Sequence, residues 1–131
     1  MMNDSLNLML LSGEYAKIHA AAMVTLVASS LGQPVNIFVS MEALPAFHKD
    51  SSERNAIGKG PIGRIIAETA SPDYLGLFKE AKDMGEVHLY ACSLVIDLKH
   101  WDLNQLVPIF DDMMGIAGFL GKVSGGTSLT F

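Results

Sequence analysis

One cysteine, nine basic residues and no long apolar run set the first limits on this 131-residue chain. Cys92 has no partner in the chain, so a disulfide scaffold is excluded. A thioredoxin-type C-x-x-C is excluded too, because position 95 is Val95. A phosphatase loop needs an arginine six positions after its cysteine, where Leu98 stands. A two-cysteine peroxidase would need its resolving thiol from another chain. Lys and Arg number 9 against 14 Asp and Glu, a formal net charge of -5. Binding to duplex nucleic acid normally demands a basic excess, so no nucleic-acid partner is expected. The longest strongly apolar stretch, residues 20–28, contains Thr25 and lies between Lys17-Ile18-His19 and Ser29-Ser30. A spanning helix needs about 20 apolar residues, so this stretch reads as a buried helix and no membrane span is expected. No basic segment precedes the first apolar run, so no signal peptide is read and a reducing, cytoplasmic setting is expected. The four histidines, His19, His48, His88 and His100, lack metal spacing, so neither a metal nor a cofactor is implied.

What is abundant is apolar. Half of the residues are hydrophobic and only 18% are charged, below the roughly 25% of an average soluble domain. Disorder is thereby excluded. Mean hydropathy is +0.31, and the surplus apolar surface points to a homo-oligomer.

The pattern alternates strands and helices. Residues 6–11 (LNLMLL) read as a strand buried on both faces, as in parallel sheets. Residues 14–31 follow as an alanine-rich helix stopped by Gly32, and residues 35–39 (VNIFV) form a second strand. Residues 48–63 (HKDSSERNAIGKGPIG) are polar and glycine-rich and read as a long loop, with a short helix at 64–70. A helix at 72–84, a third strand at 86–91 and a helix at 93–100 come next. A fourth strand is placed at 107–110, a helix at 115–123 and a last strand at 127–131. The whole reads as a single α/β domain, residues 1–131, with about five mostly parallel strands and helices on both faces. In a flavodoxin-like strand order the first and third strands are neighbours, which would set Cys92 beside Ser12-Gly13.

Ligands of open α/β sheets sit outside the carboxyl ends of the strands. Ser12, Gly13 and Glu14 follow the first strand, and Cys92 and Ser93 follow the third. Cys92 also stands where a helix begins, where free N–H groups and the helix dipole favour a thiolate. A buried, inert cysteine is the alternative. Glu14 is read first as negative charge for its helix's opening turn. The segment 48–64 holds Lys49, Arg54, Lys59 and Arg64 and could fold over the same edge to meet an anion, or be a plain solvated connector. Gly58-Lys59-Gly60-Pro61-Ile62-Gly63 matches G-x-G-x-x-G, but no strand precedes it and a proline interrupts it, so it is not a dinucleotide fingerprint. His88 reads as a core histidine, Trp101 as core or interface, and Asp111-Asp112 as solvated surface.

The segment Leu89-Tyr90-Ala91-Cys92-Ser93-Leu94-Val95-Ile96-Asp97-Leu98 resembles the stretch in the DsrE/DsrF-like sulfur-relay family where a cysteine opens a helix after the third strand. Ser12-Gly13-Glu14 with its alanine-rich helix, PVNIFVS at 34–40 and the closing 115–131 add to a resemblance spanning nearly the whole chain. The resemblance implies a DsrE-like α/β fold in trimers or hexamers. It implies that Cys92 carries sulfane sulfur as a persulfide or thiosulfonate. Sulfur would come from a small donor such as thiosulfate, tetrathionate or polysulfide and pass to a TusA-like or other carrier protein. The further cysteine of some relatives is absent, so no internal cysteine-to-cysteine relay is implied. The rival reading is a non-catalytic module that binds a small ligand or nucleotide, with Cys92 buried as a structural residue.

Overall fold

The computed structural model describes residues 4–131. Five strands form one parallel sheet: β1 Leu6–Leu10, β2 Val35–Val39, β3 Val87–Cys92, β4 Asp112–Met114 and β5 Thr127–Thr130. Their order is β4-β3-β2-β1-β5. Six helices connect them: α1 Tyr15–Ser30, α2 Ser51–Arg54, α3 Gly60–Thr69, α4 Tyr74–Met84, α5 Ser93–Lys99 and α6 Ile116–Lys122. A 3-10 segment, Met41–Phe47, follows β2. The α/β architecture is the one the alternating pattern implies.

The central strands read as continuous apolar runs because both faces are covered. Leu8, Ile37 and Leu89 are in register across β1, β2 and β3 and are wholly buried. Phe38 and Tyr90 point to the opposite face by strand alternation. There Phe119 of α6 stacks on Phe38, ring centroids 5.1 Å apart, and lies 6.2 Å from Tyr90. On α1, alanines at 21, 22 and 28 are buried, and small side chains let α1 and α4 approach closely. Ser29 of α1 donates to the Ala81 carbonyl of α4 at 2.9 Å. Gly85, at the end of α4, has no room for a Cβ, which would stand 2.5 Å from Ser29 Oγ.

The structure corrects several expectations. β2 stands between β1 and β3, so Cys92 and Ser12-Gly13 end strands that are not neighbours. The polar segment 48–63 is not one long loop: it holds α2, Ser51–Arg54, and the opening turn of α3. The Asp50 side chain accepts from the Ser52 N–H and caps α2. Pro61 lies in the first turn of α3, where its missing N–H costs nothing, so α3 begins at Gly60 and not at Arg64. The fourth strand is 112–114 rather than 107–110: Pro108 cannot donate to a ladder, and pairing with β3 starts only at Asp112. Asp111 is no idle surface residue. Its carboxylate accepts from Lys82 Nζ at 2.7 Å and from the Leu89 N–H at 2.9 Å. His88 is half-exposed, beside Glu86 and Asp111, and is not a core histidine. No helix among the described residues is long and apolar enough to cross a membrane.

Candidate functional site

Cys92 is the last residue of β3 and the N-cap of α5. It pairs across the ladder with Met114 of β4 and is 4% exposed. Two short chain reversals meet there, since Gly115 after β4 is the N-cap of α6. Ser93 Oγ lies 3.9 Å from the position a Cβ on Gly115 would take. The thiol therefore sits at the carboxyl edge of the sheet, between the openings of α5 and α6. Around it the surface is apolar: Leu94 and Leu98 of α5, Met113 of β4, and Ile116 and Leu120 of α6 are all exposed.

Ser12, Gly13 and Glu14 build the turn from β1 into α1. Ser12 Oγ accepts from the Glu14 N–H at 3.0 Å, an ST-turn that fixes the reversal. Glu14 is the N-cap of α1, and its side chain makes no capping bond. Tyr15 N–H donates to the Gly58 carbonyl at 2.8 Å, which ties the segment before α3 to the start of α1. Gly13 and Glu14 line a cleft of about 430 Å³ with Glu42, Glu53 and Lys99. Lys99 is the last residue of α5, so the structure joins the Ser12-Gly13-Glu14 turn to the far end of the helix that Cys92 opens, not to the thiol itself.

The cations of segment 48–64 divide. Lys49 is exposed, and its carbonyl is held by Arg54 Nη1 at 2.7 Å. Arg54 also donates to the His48 carbonyl at 2.7 Å and so closes the turn. Arg54, Lys59 and Arg64 line a second cleft, of about 560 Å³, together with Tyr15, Asp73 and Tyr74. Neither cleft is lined by Cys92. The tyrosine rings meet edge to face, centroids 5.3 Å apart. Burial raises the Tyr15 phenol above its ordinary value, and the Asp73 charge adds to this. Burial also raises Tyr74, whose hydroxyl donates to the Ala46 carbonyl. Behind Tyr15, burial lowers His19, with Asp73 acting the other way, and His19 Nδ1 has no hydrogen-bond partner among the described residues. Sequence reading missed Tyr15, Tyr74 and Asp73. Tyr15 lies far along the chain from the adjacent Asp73 and Tyr74, and the only local signal was a tyrosine at the first position of two helices.

Among the described residues no three His, Cys, Asp or Glu side chains are grouped to hold a metal ion. No family model matches the chain. No curated protein matches it. Among solved structures, the chain is similar to a protein of unknown function from Methanobacterium thermoautotrophicum. The two superpose with a TM-score of 0.68 at 13% identity, over 98% of this chain and 100% of the other. At that identity the likeness concerns the fold.

Proposed function

We propose that this chain is a sulfur carrier or sulfurtransferase that holds sulfane sulfur on Cys92. The observation that carries the reading is the position of the only thiol, at the carboxyl end of β3 where α5 opens. In the first step the Cys92 thiolate attacks the sulfane sulfur of thiosulfate. The S–S bond of the donor breaks, sulfite leaves with the electron pair, and a Cys92 persulfide remains. With tetrathionate the same attack expels thiosulfate and leaves a thiosulfonate on Cys92. An acceptor thiolate, such as that of a TusA-like carrier, then attacks the outer sulfur of the persulfide and Cys92 departs as thiolate. No cofactor enters this scheme. The low exposure of Cys92 suits storage, because a persulfide open to solvent is lost to any passing thiol. The exposed apolar side chains of α5, β4 and α6 offer a surface for an acceptor or for neighbouring subunits in a homotrimer or hexamer. A reducing, cytoplasmic compartment fits a lone thiol kept free of disulfides.

The test is intact mass after incubation with tetrathionate, polysulfide and thiosulfate. A dithiothreitol-removable adduct is expected on the native chain and none on Cys92→Ser. An adduct that persists in Cys92→Ser, or none with any donor, overturns the proposal. The second reading, a non-catalytic small-ligand module with a structural Cys92, is favoured by one observation: the two clefts at the α1 opening are lined by residues other than Cys92.

A further inference from the structure

Three helices begin at the 560 Å³ cleft. Tyr15 is the first residue of α1, Lys59 is the N-cap of α3, and Tyr74 is the first residue of α4, and all three line it. Helices of 16, 10 and 11 residues therefore present their positive ends to one space. The close approach of α1 and α3 depends on Gly63, where a Cβ would stand 3.2 Å from Tyr15 Cβ and 3.3 Å from the Ala16 nitrogen. Three cations line the same cleft in a chain that has only nine basic residues and a net charge of -5. Arg54 is committed to two carbonyls, while Lys59 and Arg64 make no ion pair or side-chain hydrogen bond among the described residues. Two carboxylates are present as well. Asp73 is occupied as the N-cap of α4, accepting from the Gly76 N–H at 3.0 Å, and Glu68 lies a turn beyond Arg64.

The independent observation is Tyr15. The residue is 7% exposed, it lines the cleft, and its hydroxyl has no hydrogen-bond partner among the described residues. The ring is packed and the hydroxyl is left at the cleft wall, free to donate to an acceptor there. Three helix openings, two uncommitted cations and an unpaired phenol converge on an anion of high charge density that can accept several hydrogen bonds. The volume is that of a small-molecule site rather than of a lone ion.

We propose that this cleft binds a phosphate monoester with a small organic body. Lys59, Arg64 and the α3 opening hold the phosphate, and the Tyr15 hydroxyl donates to one of its oxygens. The site is separate from Cys92, so it stands or falls independently of sulfur transfer.

The experiment is calorimetric titration of the full chain with ribose 5-phosphate, inorganic phosphate and ribose. Ribose 5-phosphate is expected to bind, ribose not to bind, and phosphate to bind about tenfold more weakly than the ester. Arg64→Ala, at an exposed position, should weaken ribose 5-phosphate about tenfold and more steeply at low salt than at high. Tyr15→Phe keeps the ring and should weaken it about fivefold without lowering the melting temperature. Three results overturn the proposal: no ester binding, ester and ribose binding alike, or an Arg64→Ala, Lys59→Ala double variant that binds as the parent does. Phosphate binding as tightly as the ester overturns the organic body and leaves an adventitious ion only. The Cys92→Ser variant should bind ribose 5-phosphate unchanged, which separates this outcome from the sulfur-loading test.

Discussion

Gly13 lies against the backbone of Glu42: a Cβ at residue 13 would stand 2.9 Å from the Glu42 carbonyl oxygen. The end of β1 and the 3-10 segment after β2 can approach this closely only because residue 13 has no side chain. Gly13→Ala must push the Met41–Phe47 segment away, and Ala43, Leu44, Ala46 and Phe47 of that segment are fully buried. The expected loss is about 1–3 kcal/mol, as for other overpacked sites. Urea unfolding should show a lower midpoint with an unchanged slope. A midpoint equal to the parent's would mean that the segment yields freely.

Phe119 is the one buried residue of α6, and it fastens that helix to Phe38 and Tyr90. Phe119→Ala should cost about 3–5 kcal/mol, the range for a large aromatic removed from a core. The loss should be local first. Hydrogen exchange at α6 and at the edge strand β5 should quicken more than at β2, the central strand.

Asp111 links α4 to β3. Burial opposes its ionisation, but hydrogen bonds from Lys82 and from the Leu89 N–H, with the Lys82 charge, outweigh burial and hold the carboxyl below its ordinary value. A carboxyl lowered on folding stabilises the fold fully above its unfolded value, and the stabilisation is lost as pH falls through the folded one. The parent's urea midpoint should therefore drop as pH falls below about 4. Asp111→Asn should show a flatter acid limb and a lower midpoint at neutral pH. Equal acid limbs would show that Asp111 titrates alike in both states.

The covered position of Cys92 predicts size-selective labelling. Iodoacetamide should react with the native chain at least about tenfold more slowly than with the chain in denaturant, and a fluorescein-bearing reagent more slowly still. If even iodoacetamide reacts only after denaturation, Cys92 is a packed structural residue and sulfur transfer through it fails.

Leu98 is 68% exposed and Leu120 59% exposed, on helices that flank Cys92. If this apolar surface joins subunits, light scattering at micromolar concentration should give a mass well above 14 kDa. Leu98→Glu with Leu120→Glu should shift it towards the monomer, because a buried, unpaired carboxylate is costly at an interface. A parent that is already monomeric contradicts the homo-oligomer.

The succession of strands and helices was written in the chain, because period and composition are local properties. The runs at 6–11, 35–39 and 86–91 read as strands, within a residue of β1, β2 and β3, and Gly32 and Gly85 mark where α1 and α4 stop. Cys92 at the junction of β3 and α5 was legible for the same reason. The helical parts of segment 48–63 were hidden by its glycines and polar residues. Its helices rest on the Asp50 cap, on Pro61 in an opening turn and on packing against α1, and only the last of these lies outside the segment.

Strand order was decided by tertiary structure alone. The three central strands are short, largely apolar runs, and nothing in such a run names its neighbour. Which side chains share a cleft was equally out of reach: Tyr15, Lys59, Arg64 and Tyr74 are brought together by three helix openings. Local pattern determines which face of an element is apolar, whereas the meeting of distant residues depends on how those faces pack, and packing belongs to the whole chain at once.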